Sequence, residues 1–283
     1  MLDEKALNDF IRTALAEDIG NGDHSTLACI SPTAKGSAQL KIKEDGILAG
    51  MEVAEAIFKW LDMFTVFKPL KKDGDAMKAG EVAFEVQAAV HTLLMAERLV
   101  LNCMQRMSGI ATLTHQYVQA LEGYHTKVLD TRKTTPNFRM LEKEAVRIGG
   151  GVNHRMGLYD MIMLKDNHID FAGGITAAVN KTVDYLKQRG LHLKIEVETR
   201  NLEDVKEVLA VGQVHRIMLD NFTPAQLADA LALINGKYET EASGGITLAT
   251  LQDYAQTGVD YISVGAIIHH AVSLDLSLKA MDY

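Results

Sequence analysis

The chain has 283 residues, 47% of them hydrophobic and 23% charged, with 4 prolines, two cysteines and a formal net charge of −8. That composition suits a globular protein without a long disordered tail, and the length fits one α/β barrel with a smaller companion, or two medium domains. The acidic balance argues against a general nucleic-acid or membrane-surface binder, and no run approaches the roughly 18 apolar residues of a membrane span. Cys29 and Cys103 lie far apart without metal-ligand spacing and read as reduced thiols. The first residues, MLDEKALNDF, lack the basic-then-apolar order of a signal peptide, so the expectation is a cytoplasmic protein.

Residues 3–17 place Leu7, Phe10, Ile11, Ala14 and Leu15 at helical spacing, which predicts an amphipathic helix ended by EDIGNGDHST. From about Gly36 to Val86 short strands dominate, with one helix near 51–61 and a plain turn in DGD at 73–75. A long helix from about His91 to Gly123 follows. Leu93, Ala96, Val100, Met104 and Met107 form its buried stripe, the methionines as core filling. After Gly123 the rhythm changes to short apolar runs that end in polar or glycine clusters: KVLDTRK, DMIMLKDN, LKIEVET, RIMLDN, YETEASGG and YISVGA. Six such ends alternating with helical stretches predict a parallel β/α barrel or an open parallel sheet, with room for a seventh strand in AVRIGGG. The barrel is favoured because every run ends in groups capable of chemistry, and barrel sites gather at the C-terminal ends of the strands.

Those ends carry a distinct chemistry. TRKTTP contributes Arg132 and Lys133, GGGVNHR contributes His154 and Arg155, and MLKDNH contributes Lys165, Asp166 and His168. Between Arg132 and Arg155 six Lys or Arg face two Glu, a basic patch in an acidic chain. Lys143 is assigned to a solvated face of the helix at 138–148, whereas Arg132, Lys133, Arg155 and Lys165 sit beside strand ends or glycines, as a site for a small polyanion requires. Arginine suits planar carboxylates because its fork donates two parallel hydrogen bonds. Glu198 and Asp220 close the next two strands. Acids beside a basic site repel an anionic ligand unless a cation lies between, which points to Mg²⁺ shared with substrate phosphate oxygens; simple pairing with the basic residues is the alternative. Ser243, Gly244 and Gly245, then Gly265, end the last two strands, where glycines let backbone N–H groups approach a phosphate and begin helices.

Together with ER at 97–98, RMSGIAT at 106–112, GGGVNHR at 149–155, EVE at 196–198 and LDNF at 219–222, these segments resemble the quinolinate phosphoribosyltransferases over nearly the whole chain. The resemblance implies an N-terminal α/β sandwich over 1–115 and an incomplete, seven-stranded α/β barrel over 116–283, with a final helix that can return to the first domain. It implies a homodimer or larger homo-oligomer with shared sites. It assigns Arg132, His154, Arg155 and Lys165 to the two quinolinate carboxylates, joined by Arg98 from the partner subunit. Lys133 falls to the phosphoribosyl donor, Glu198 and Asp220 to its ribose hydroxyls and Mg²⁺, and Ser243, Gly244 and Gly265 to the 5′-phosphate. Asn137 stands where the family often has glycine, which bears on loop geometry. The residues alone leave three rivals open: a lyase using Lys165 as a Schiff base, a phosphoribosyltransferase of the same fold with another acceptor, and a non-catalytic anion-binding protein. A zinc site from His269 and His270 is not expected, because adjacent histidines do not share one helix face.

Overall fold

The structure, a computed structural model, describes residues 2–281. In chain order the first elements are α1 (Glu4–Ile19), α2 (His24–Cys29), β1 (Lys35–Ile42), β2 (Gly46–Ile47), α3 (Met51–Leu61), β3 (Val66–Pro69), β4 (Ala76–Met77), β5 (Val82–Ala89) and α4 (Val90–Ala120). Then follow β6 (Lys127–Leu129), α5 (Arg139–Ile148), β7 (Ile162–Leu164), α6 (Asp166–Ala172), α7 (Ile175–Arg189), β8 (Ile195–Thr199) and α8 (Leu202–Val211). The last are β9 (Arg216–Asp220), α9 (Pro224–Ile234), β10 (Glu239–Ser243), α10 (Leu251–Ala255), β11 (Tyr261–Ser263), α11 (Ala266–His269) and β12 (Leu276–Ala280). None of the described helices is long and apolar enough to cross a membrane.

Two compact units emerge. The first comprises Met1–His115, Thr134–Gly150 and Ile267–Tyr283. Its antiparallel sheet runs β12-β1-β5-β3, and alternate residues such as Leu40, Ile42, Phe84 and Val86 turn inward with no exposure. Phe84 meets Phe58 of α3, and Phe58, Phe67 and Phe84 stack within 4.5–6.3 Å of one another. The DGD turn does more than reverse the chain. Gly50 has no side chain to cap α3, and Asp73 supplies the acceptor instead, taking the Met51 N–H at 2.9 Å. After α11 comes a strand: LSLKA buries Leu276 and Leu278 at a period of two and pairs with β1. Lys143 is also corrected. Leu141 to Val146 are all buried, so α5 has no solvated face at that position.

The second unit, Gln116–Lys133 and Gly151–Ala266, is a six-stranded parallel sheet in the order β6-β11-β10-β9-β8-β7 with helices between its strands. It is an α/β barrel that does not close. AVRIGGG contributes no strand, because Ala145–Ile148 finish α5; the seventh position shrinks to one parallel bridge between Val152 and Leu129. The strands are nearly continuous runs of buried residues, as a sheet covered on both faces demands, and all five residues of β8 are buried.

Candidate functional site

Strand register decides which side chains share a face. Glu196 pairs with Arg216, Glu198 with Met218, Met218 with Glu241, and Asp220 with Ser243. Side chains alternate along each strand, so Glu196, Glu198, Arg216, Asp220, Glu241 and Ser243 all point to one side of the sheet. Glu198, Asp220 and Ser243 lie at or near the C-terminal ends, as the sequence predicts, with Glu196 and Glu241 one step behind them.

At the β6 edge a buried acid gathers the basic residues. Asp130 follows the last residue of β6 with no exposure. Its Oδ1 accepts the His154 N–H at 2.8 Å, and its Oδ2 accepts from Asn153 Nδ2 at 2.6 Å. The backbone adds bonds from Val152 N to Val128 O and from Asp130 N to Val152 O. GGGVNHR is thereby laid along the strand whose end carries Arg132. Arg155 donates to Met161 O at 3.3 Å; burial, and then the Arg132 charge, hold its pKa below the usual guanidinium value. Two guanidiniums brought this close repel each other, so the arrangement favours an anion between them.

Lys165 precedes α6, and its N–H donates to Nδ1 of His168 at 3.1 Å, which gives His168 a capping role. The Lys165 ammonium reaches Glu198 Oε2 at 3.3 Å and stays half exposed. That is an ion-paired cation in contact with water, not the apolar enclosure that activates an amine nucleophile. Asp220 ends the neighbouring strand and accepts from Asn221 Nδ2 at 2.6 Å. As hard oxygen donors on one face of adjacent strands, Glu198 and Asp220 fit Mg²⁺ held jointly with substrate oxygens. Lys133 is exposed beyond β6.

The glycines after β10 form a turn and do not themselves begin a helix, unlike the expectation. Gly244 and Gly245 adopt φ of 100° and 62°, and a Cβ on Gly244 would collide with the Asn221 side chain. Positive φ cannot continue into a right-handed helix, so a turn intervenes before α10 begins at Leu251. Gly265 directly precedes α11, a single turn. Arg98 is exposed on α4 in the first unit. His269 and His270 are exposed and stack edge to face at 4.4 Å.

Behind the strand ends lies a buried ionic group that the strand-end reading misses. His154 Nε2 stands 2.9 Å from Glu196 Oε2 and 3.3 Å from Glu241 Oε2, and both carboxylates have no exposure. Arg216 Nη1 reaches Glu241 Oε2 at 3.1 Å and Nη2 reaches Glu239 Oε2 at 3.1 Å, while its guanidinium lies 4.3 Å from the Tyr261 ring. Burial alone would depress the imidazole, but the two carboxylates outweigh it and raise His154 to about 9. Burial and the like charge of Glu241 raise Glu196 to about 7, whereas the cationic neighbours win at Glu241 and lower it. Nδ1 accepts the Arg155 N–H at 2.6 Å, while Nε2 faces the Glu196 and Glu241 carboxylates. The available signal was the E-x-E repeat in IEVET and ETEAS, since residues two apart share a strand face.

A shallow cleft of about 530 Å³ opens at the other end of the strands, lined by Lys194, His215, Lys237, Glu239 and Asp260. It lacks the glycine turns and the gathered arginines, so the C-terminal ends remain the candidate site.

The sequence matches the family models for the quinolinate phosphoribosyl transferase N-terminal domain over residues 23–108 and C-terminal domain over 110–279. It is 46% identical to a protein of Arabidopsis thaliana named nicotinate-nucleotide pyrophosphorylase (carboxylating), chloroplastic, over 96% of this chain and 82% of that one. It is also 46% identical to a probable nicotinate-nucleotide pyrophosphorylase (carboxylating) of Synechocystis sp., over 96% and 92% of the two chains. The crystal structure of NadC from Streptococcus pyogenes superposes with a TM-score of 0.92 at 40% identity, covering 100% of this chain and 99% of that one. Human nicotinic acid phosphoribosyltransferase, at 12% identity and a TM-score of 0.61 over 96% of this chain and 74% of that one, shares the fold alone.

Proposed function

The chain belongs to the quinolinate phosphoribosyltransferase family, and from that premise we infer how its own residues carry out the reaction. It is a decarboxylating phosphoribosyltransferase of NAD biosynthesis: quinolinate and phosphoribosyl pyrophosphate give nicotinate mononucleotide, pyrophosphate and carbon dioxide. The observation that carries the assignment of roles is the Asp130 anchor, which brings Arg155 beside Arg132 at the same end of the sheet as Glu198 and Asp220.

Arg132, Arg155 and Lys165, with His154 beside them, receive the pyridine dicarboxylate. Ser243, Gly244, Gly245 and Gly265 receive the 5′-phosphate through backbone N–H groups. Mg²⁺ entering with the donor would be held by Glu198 and Asp220 and would neutralise charge on the departing pyrophosphate. Lys133 supports the same leaving group. As pyrophosphate leaves, the anomeric carbon becomes electron-poor and the pyridine nitrogen attacks it. The alkylated ring nitrogen is then cationic and stabilises the carbanion left when the adjacent carboxylate departs as carbon dioxide. No bond to the protein forms, so the chain's task is orientation, which in well-aligned systems supplies on the order of 7–11 kcal/mol.

The working form is an assembly of two or more copies, in which the exposed Arg98 of one copy completes the carboxylate pocket of another. The cytoplasm is the proposed compartment, supported by two free thiols, one of them exposed. Mass detection of nicotinate mononucleotide after incubation with quinolinate, phosphoribosyl pyrophosphate and Mg²⁺, run beside nicotinate as acceptor, tests the reading. Product from quinolinate alone supports it; product from neither acid overturns it.

A further inference from the structure

We propose, taking the reaction above as given, that Glu196 and Glu241 are positioning residues for quinolinate: with Arg216 as counter-charge they grip the His154 ring and through it set the backbone of Arg155. The geometry is that of a relay. Both ring nitrogens of His154 are engaged inside the barrel unit, Nε2 by the two carboxylates and Nδ1 by the Arg155 N–H. The side chain is 5% exposed, so the imidazole is held by protein from both sides while Arg155 continues toward Arg132 and the ligand.

Two anchors then fix one dipeptide. Asp130 takes the His154 backbone N–H, and the carboxylate pair takes its ring. Loss of the ring anchor frees rotation about the His154 side chain and removes the acceptor of the Arg155 N–H. The planar fork of Arg155 gains its advantage only at a fixed angle to a carboxylate, so a small rotation upstream is expressed as weaker quinolinate binding. Burying two carboxylates is costly, and a cluster serving the core alone would be replaceable by apolar side chains of similar volume. This one instead connects to the residue that precedes a guanidinium of the site. His154, Glu196 and Glu241 also lie close enough together to hold a metal ion, but the Arg216 guanidinium already stands 3.1 Å from Glu241 as its counter-charge.

The test uses the full-length protein, with Glu241→Gln and Glu196→Gln made alone and each combined with His154→Phe. Wild-type turnover of quinolinate is the control; its absence overturns the functional reading before the variants are compared. Given turnover, Glu241→Gln is expected to raise the quinolinate KM about tenfold or more while the donor KM changes less than about threefold. In the His154→Phe background the same substitution should change the quinolinate KM by less than about twofold, because residues acting through one another are not additive. If Glu241→Gln gives no folded protein, Glu196→Gln is read by the same criteria. Equal rises in both KM values, or an undiminished effect without His154, overturn the proposal. So does a stoichiometric divalent metal retained by the dialysed wild type and lost in Glu241→Gln, which would make the cluster a metal centre.

Discussion

Arg106 lies on α4 within RMSGIAT and ties three segments of the first unit together. Its Nε and Nη2 donate to Glu142 Oε1 at 3.0 and 2.9 Å, Nη1 to Ala271 O at 2.7 Å, and Nη2 also to Ile268 O at 2.8 Å. Glu142 has no exposure and in turn accepts the Thr135 N–H and hydroxyl at 2.8 and 2.9 Å. Arg106→Met removes the cation and leaves a buried carboxylate uncompensated, a loss of about 3–5 kcal/mol. The two carbonyls add little, because the Arg106 side chain is 22% exposed and water can replace it there. At roughly 2 °C per kcal/mol for a protein of this size, the melting temperature should fall by about 6–10 °C. Arg106→Met with Glu142→Gln removes both charges, keeps an acceptor for Thr135, and should recover at least about half of that loss. Urea denaturation and thermal scans of the three proteins make the comparison. A single variant within about 1 kcal/mol of wild type, or a double variant no better than the single, would show that Arg106 and Glu142 behave as a solvent-screened ion pair.

Asp220→Ala should impair turnover, with the loss partly offset by raised Mg²⁺; full activity of EDTA-treated protein contradicts the metal assignment. Mixing inactive Arg98→Ala with inactive Lys133→Ala should restore part of the activity, because a hybrid pair keeps one intact site, and an active monomer in sedimentation refutes the shared-site arrangement. The two buried carboxylates outweigh burial and raise His154 from 6.5 to about 9, so the folded state binds more protons than the unfolded chain across that interval. Its contribution to stability is complete below about pH 6.5 and is lost as pH rises through about 9. Denaturation midpoints should therefore fall between pH 7 and 9.5 in the wild type and fall less in Glu241→Gln, whereas parallel curves would contradict the sign.

Much of the barrel unit was legible because a parallel strand is a short apolar run with polar residues after it. All six predicted runs are strands, and Arg132, Lys133, Lys165, Glu198, Asp220 and Ser243 lie at or near their ends. The failures have local causes. AVRIGGG leaves room for a seventh strand by its apolar residues alone, but Leu141 and Ala145, four apart, belong to the buried helix α5. Lys143 was placed in solvent because a lysine on a charged helix ordinarily points there, and the pattern cannot show that both sides of α5 are covered. Asp130, Glu196, Arg216 and Glu241 escaped because long-range pairing defines them. Nothing near Glu241 in the chain announces a histidine 87 residues earlier (241 − 154).

The most direct measurement follows quinolinate carrying ¹³C in the carboxylate next to the ring nitrogen. With phosphoribosyl pyrophosphate and Mg²⁺ present, labelled carbon dioxide and unlabelled nicotinate mononucleotide should appear in equal amounts, and neither should form without the donor. Nicotinate should be used on the order of 10⁴-fold less well, because it leaves carboxylate-binding donors of the site without a partner. Nicotinate used within about tenfold of quinolinate, or nucleotide that retains the label, would contradict the account.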